Sequence, residues 1–235
     1  MHVTILIPCK DESAAIGHLG DALARLPDIL GEGHSFAVVA VDDGSTDATS
    51  EALEAMGAAL PFPVDVRRHD VNKGIGAALR TAAEGVGGDV VVTYDADRPY
   101  PLEDLPRLLQ PIADDRADVV SASPWHADGA THGVSPSRSF LSRAASSLYR
   151  LRLGRRARGL FTITCGYRAW RRDTFTAALP RRDGFTATAE MLLNALRLGA
   201  RATETPSTLR SRTEGHSKMR VMRTAWAHLG LLLRG

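Results

Sequence analysis

Cysteine is scarce in this chain. Cys9 and Cys165 are the two present in 235 residues, too few for a disulfide framework or a zinc cluster, and neither lies in a Cys-x-x-Cys pair. That usage fits a reducing compartment. No apolar run approaches the roughly 18 residues needed to span a bilayer. Met1-His2 leads straight into an apolar strand, without the basic flank and cleavage site of a signal peptide. The expectation is a cytoplasmic protein that meets a membrane, if at all, from its inner face.

Acidic residues are missing from Gly129 to Arg172, where arginines stand at 138, 143, 150, 152, 155, 156, 158, 168, 171 and 172. A soluble surface ordinarily mixes both signs, so a stretch of one sign asks for an anionic partner. The stretch lacks the interleaved aromatics that stack on bases, and no nucleic-acid motif is present, which argues against DNA or RNA. Anionic lipid headgroups and a lipid phosphate fit better.

What is present is an alternation of strands and helices. Short apolar strands are expected at Val3–Pro8, Phe36–Val41, Val64–His69, Val90–Thr93 and Asp118–Ser123. Helices fit 13–26, with Ser13 as N-cap, and 48–58, capped by Ser45 or Thr46. Further helices fit 76–84 and 102–112. A polar loop follows to Pro136; loop 124–137, with Trp125, His126 and His132, is expected to cover the acceptor or donor. Helices then fall at 138–153, 187–199 and 217–233, with strands near 161–170 and 202–210. The pattern predicts one α/β domain over 1–235 with a mostly parallel, Rossmann-like sheet. Its nucleotide half covers about 1–123, and an acceptor-side half about 124–235.

Val90-Val-Val-Thr-Tyr-Asp-Ala-Asp97 is the central stretch: a buried strand that runs into two carboxylates. In an open α/β sheet, ligands sit beyond the carboxyl ends of strands. Paired hard oxygens there suit Mg²⁺ or Mn²⁺ completed by substrate phosphates. Taken alone, Asp95 and Asp97 read more readily as caps for the helix after Pro99-Tyr-Pro101. Asp42-Asp43-Gly44-Ser45-Thr46-Asp47 ends another buried strand at the same edge. Asn72-Lys-Gly-Ile-Gly76 opens a helix, a place where backbone N–H groups collect anions. No glycine-rich loop follows the first strand, as a nucleotidyltransferase would need.

In chain order, Ile5-Leu-Ile-Pro-Cys-Lys-Asp-Glu12, Val41-Asp-Asp-Gly-Ser-Thr-Asp47, Asn72-Lys-Gly-Ile-Gly76, Asp95-Ala-Asp97, Cys165-Gly-Tyr-Arg168 and Arg212-Thr-Glu-Gly-His-Ser-Lys218 resemble the family 2 glycosyltransferases of GT-A fold. Within that family the chain is similar to the dolichyl- and polyprenyl-phosphate mannosyl- or glucosyltransferases. The resemblance implies that Pro8, Lys10, Glu12, Asp42, Asp43, Lys73, Asp95, Ala96 and Asp97 bind a nucleotide sugar, GDP-mannose or UDP-glucose. It implies Mg²⁺ or Mn²⁺ on Asp95 and Asp97, and acceptor phosphate on Arg138, Arg212, Ser217 and Lys218. Asp97, Arg98 and Lys218 would act at the departing diphosphate.

Three positions depart from that pattern. Lys10 replaces Tyr or Asn, Arg98 replaces a neutral residue, and Cys165 replaces Ser. Cys165 is expected to be a small buried residue, and Arg98 to pair with a phosphate. Glu190, in the helix Thr188–Leu198, could still approach as a base or could equally be structural.

The expected reaction is inverting hexose transfer to a polyprenyl phosphate at the cytosolic membrane face. A phosphate monoester is mostly ionised at neutral pH, with a second pKa of about 6, and attacks without a base. Met222, Trp226, Leu229 and Leu233 form one helical stripe that could lie in a membrane interface or pack on the core. Two alternatives are a family 2 transferase with a soluble small-molecule acceptor, and a nucleotide- or lipid-binding module without catalysis.

Overall fold

The computed structural model describes residues 1–211 and 221–234, with the side chains of the last helix from 226 to 232. Arg212, Ser217 and Lys218 lie outside the described residues, as do the side chains of Met222 and Leu233. The chain runs β1 (His2–Cys9), α1 (Ser13–Ala24), α2 (Leu26–Leu30), β2 (Ser35–Asp42), α3 (Thr49–Ala59), β3 (Val64–Arg68), α4 (Ile75–Ala83) and β4 (Val90–Thr93). There follow α5 (Leu105–Ala113), β5 (Val119–Ser123), β6 (Ala130–His132), α6 (Pro136–Leu153), β7 (Arg168–Arg171), α7 (Arg172–Ala177), α8 (Ala187–Arg197), β8 (Ala202–Pro206), β9 (Thr208–Arg210) and α9 (Val221–Arg234).

Seven strands form one sheet in the order β3-β2-β1-β4-β7-β5-β8. All neighbours are parallel except β7, which is antiparallel to both β4 and β5. Strand alternation splits the core between the two sheet faces. Val3, Ile5 and Ile7 of β1 and Val90 and Val92 of β4 pack on one side with α1, α3 and α5 residues. Leu6 and Val91 pack on the other with residues of α4 and α8. Helix α5 shows why: Leu105, Leu108, Leu109 and Ile112 recur at helical spacing and are all buried. The chain reverses direction of travel across the sheet between β1 and β4, so the crevice lies beyond the ends of those strands.

Several expected details differ. Ser13 is inside α1 and Glu12 holds the cap position; the Ser13 hydroxyl donates instead to Asp47 Oδ2 at 2.7 Å. Neither Ser45 nor Thr46 caps α3, whose cap position is Ala48; Asp47 Oδ1 accepts the Thr49 N–H at 3.1 Å. The strand expected at 161–170 begins only at Arg168. Upstream, side chains take over from a ladder: Glu204 Oε1 accepts the N–H groups of Phe161 and Thr162, and Ser146 Oγ that of Ile163.

The 202–210 strand breaks at Ser207, whose hydroxyl donates to buried Asp104 at 2.6 Å. Beyond the break, β9 leaves the sheet and pairs with β6, a strand in the expected loop. The last helix is described from Val221 on, and the expected stretch 217–220 lies outside the described residues.

Segment 180–184 docks on α4. Arg80 donates to the Pro180 carbonyl at 3.0 Å, and the Gly76 N–H to the Asp183 carbonyl at 2.8 Å. A Cβ on Gly76 would collide with the Arg182 carbonyl oxygen, whereas one on Gly17, exposed in α1, would meet nothing. Gly76→Ala should therefore lower stability by about 2–4 kcal/mol. Gly17→Ala should raise it by about 0.5–1 kcal/mol. Urea unfolding of the two variants checks both signs.

Candidate active site

The ends of β1, β2 and β4 carry the acids, and hydrogen bonds between loops hold them. Asp11, with φ 47°, accepts the Thr46 N–H at 2.8 Å, and its own N–H donates to Ser45 Oγ at 2.8 Å. The Glu12 N–H donates to Thr49 Oγ1 at 2.8 Å. Asp42 Oδ1 accepts the Ser45 N–H at 2.8 Å. Asp43 is nearly closed to solvent and accepts the N–H of Lys73 at 2.8 Å and of Gly74 at 2.7 Å, with His69 Nδ1 at 2.7 Å. The anion collected at the start of α4 is thus the protein's own carboxylate.

These turns open on a cavity of about 820 Å³. Pro8, Lys10, Glu12, Asp43, Asp95, Ala96, Asp97 and Arg138 of the expected residues line it. Asp42, Lys73 and Arg98 do not line it. Asp42 is completely buried and spends Oδ1 on its own turn. Lys73 gives Asp43 its backbone N–H while its side chain is exposed. Arg98 has φ 47°, and its N–H closes the turn onto the Asp95 carbonyl at 3.0 Å. The short helical turn after Pro101 has no side-chain cap, so Asp95 and Asp97 are not its caps. Gly166 lies against Asp95: a Cβ there would sit 2.8 Å from Oδ2.

Lys10 Nζ pairs with Asp11 at 2.6 Å. Cys165 is buried as expected, and burial pushes its thiol up to about 11, which suits a packing residue. Arg168, counted above among cations awaiting an anionic partner, is 1% exposed. Its guanidinium donates to Ser121 Oγ at 2.8 Å and to the carbonyls of Thr188 and Ile163 at 2.6 Å each. Glu190 is buried too, accepting the N–H groups of Arg181 and Arg182 at 3.2 and 3.0 Å.

Of the far wall, the loop with Trp125 was expected over the substrate, but the contribution of α6 was not. Leu141, Ala144, Ala145 and Leu148 of α6 face the cavity with Leu229 and Leu232 of α9, and Trp125, Phe185 and His228 join them. Helical spacing within α6 carried the apolar part of that signal. Its pairing with α9 and the loop residues needed the fold.

Among the described residues no cluster of three or more His, Cys, Asp or Glu is placed to hold an ion. Asp95 and Asp97 supply two hard oxygens donors on one wall, which fits a divalent ion that takes its other ligands from substrate phosphates and water.

A doubly wound sheet with acids at the crevice beyond β1 and β4 is the architecture of GT-A glycosyltransferases. The glycosyl transferase family 2 model matches residues 4–177, and the chain belongs to that family. It is 35% identical over 226 residues to an undecaprenyl-phosphate mannosyltransferase of Micrococcus luteus, covering 93% of this chain and 88% of that protein. It is 32% identical over 205 residues to a polyprenol monophosphomannose synthase of Mycolicibacterium smegmatis, covering 83% and 76%. Glucosyl-3-phosphoglycerate synthase of Mycobacterium tuberculosis, solved with Mn²⁺ and UDP-glucose, superposes with a TM-score of 0.71 at 22% identity, covering 99% of this chain and 77% of that one.

Helices α6 and α9 meet at Tyr149, whose hydroxyl lies 2.8 Å from His228 Nδ1. Burial holds the imidazole below its ordinary value of 6.5. The folded state therefore resists protonation that the unfolded state accepts. This contribution is complete above pH 6.5, is lost progressively as pH falls towards the folded value, and then levels off. Unfolding midpoints measured against pH should show a fall on this acid side that shrinks in His228→Asn.

Proposed function

We propose that this protein transfers a hexose, mannose or glucose, from GDP-mannose or UDP-glucose to a polyprenyl phosphate at the cytosolic face of a membrane, with inversion at the anomeric carbon. One observation carries the reading. Among the described residues, every carboxylate on the cavity wall, namely Glu12, Asp43, Asp95 and Asp97, comes from the first half of the chain. The opposite wall is largely apolar, with Arg138 in the first turn of α6 and Ser139 and Ser142 as further polar residues of that helix. Such a cavity accepts a charged donor at one end and a greasy, anionic acceptor at the other. The names of the Micrococcus and Mycolicibacterium relatives support the same acceptor class.

A sugar hydroxyl would need a base, and Glu190 spends its carboxylate on two backbone amides. A phosphate acceptor needs none. Asp95 and Asp97 would hold Mg²⁺ or Mn²⁺, which when bound neutralises charge on the departing nucleoside diphosphate. Arg138 would meet acceptor phosphate, together with Arg212, Ser217 and Lys218.

The outer surface suits a bilayer of anionic lipid. Phe140 and Leu151 of α6 are 71% and 82% exposed, and Leu148, which also lines the cavity, is exposed between them. Trp226 of α9 is 67% exposed. Arg152, Arg155, Arg156 and Arg158 are exposed beside them, and Arg150 stacks over Phe161 at 4.7 Å. No described helix is long and apolar enough to cross a membrane. Apolar side chains in the headgroup region and cations on the lipid would place the cavity at the surface.

Incubation with Mn²⁺, labelled nucleotide sugar and polyprenyl phosphate in liposomes should move label into the lipid extract. Asp97→Asn should reduce transfer by about 10² or more. Glu190→Gln, corrected for folded fraction, should stay within about tenfold, since a lost general base costs about 10²–10⁴. Equal losses in the two folded variants would mean that transfer needs a base and that the acceptor is not a phosphate.

A further inference from the structure

Trp125 lies just past β5 and lines the cavity. The guanidinium of Arg143, on α6, sits over its ring at 4.9 Å from the centroid. The indole Nε1 is sealed from solvent and has no hydrogen-bond partner among the described residues. Buried donors are almost always satisfied, so this one points to an atom that arrives with a ligand. An indole N–H only donates. The matching atom is therefore an acceptor, and an isoprenoid chain has none. Arg143 stacked on the ring and Arg138 on the same wall make the surroundings positive, which favours an oxyanion.

We propose that Trp125 is an acceptor-binding residue: its indole N–H donates to a phosphate oxygen of the polyprenyl phosphate, with Arg143 holding the ring in place. This rests on the transfer reading above. It adds an indole donor from the 124–135 loop to a subsite otherwise expected on Arg138, Arg212, Ser217 and Lys218.

The test uses the full chain and Trp125→Phe, which keeps a ring beneath Arg143. In the transfer assay the variant should raise KM for polyprenyl phosphate about tenfold or more, the cost of one N–H donor lost from a charged oxygen. KM for the nucleotide sugar should not change. A short prenyl phosphate should alter the tryptophan emission of the wild type and not of Trp125→Phe, and the matching prenyl alcohol should alter neither.

An unchanged acceptor KM, a raised donor KM instead, or equal responses to alcohol and phosphate would overturn the proposal. If the wild type makes no glycosyl lipid, the transfer reading fails on its own. The emission experiment then still decides: a phosphate-specific response that Trp125→Phe lacks supports the contact, and no response in the wild type refutes it.

Discussion

A buried carboxylate has to be given donors, and Asp43 draws them from His69 and from the backbone of Lys73 and Gly74. That single group ties the end of β2 to the start of α4. Helix α4 in turn carries segment 180–184 through Gly76 and Arg80. Gly74 and Gly76 are needed for this approach, because each would collide with a carbonyl of 182–183 if it bore a Cβ. Asp11, Asp42 and Asp47 repeat the device, each accepting a backbone N–H. Like charges crowded at one sheet edge repel, and backbone donors offset that repulsion where water is excluded.

The remaining pair on that edge, Asp95 and Asp97, faces the cavity beside Gly166, which has no side chain to push Asp95 aside. The separation of charge along the chain becomes a separation in space. Acids sit on one wall of the cavity, and Arg138 and apolar side chains of α6 and α9 on the other. Not every arginine of the acid-free stretch belongs to that face. Arg168 is a core residue bonded to neutral acceptors, and Arg171 pairs with Asp115 at 2.7 Å and with Asp118 at 3.3 Å. The basic face is made by α6 and the turn after it.

Much of the first half was legible in the sequence because buried parallel strands are continuous β-branched runs, and β1, β2 and β4 read that way. Asp95, Asp97, Glu12 and Pro8 were legible from motif and position. Asp42 and Asp43 could not be told apart, since neighbours at a strand end point to opposite faces and only the fold shows which one meets the cavity. The 161–170 segment looked like a strand because periodicity does not reveal that Glu204 and Ser146 satisfy its amides. Arg168 looked like surface for the same reason: a charge in a sequence does not show which carbonyls surround it. Trp125 sat in a loop expected to cover the acceptor or the donor, but no pattern in the sequence showed its role.

Acceptor competition tests the central claim most directly. The protein, Mn²⁺ and a nucleotide sugar would be given equal amounts of a polyprenyl phosphate, the matching polyprenol, a small phosphorylated hydroxy acid and a free hexose, with products resolved by mass spectrometry. A cavity whose acceptor end is apolar and cationic, with no general base among the described residues, predicts one hexose mass added to the polyprenyl phosphate alone. A hexose carried instead by the soluble phosphate ester or the free sugar would contradict it.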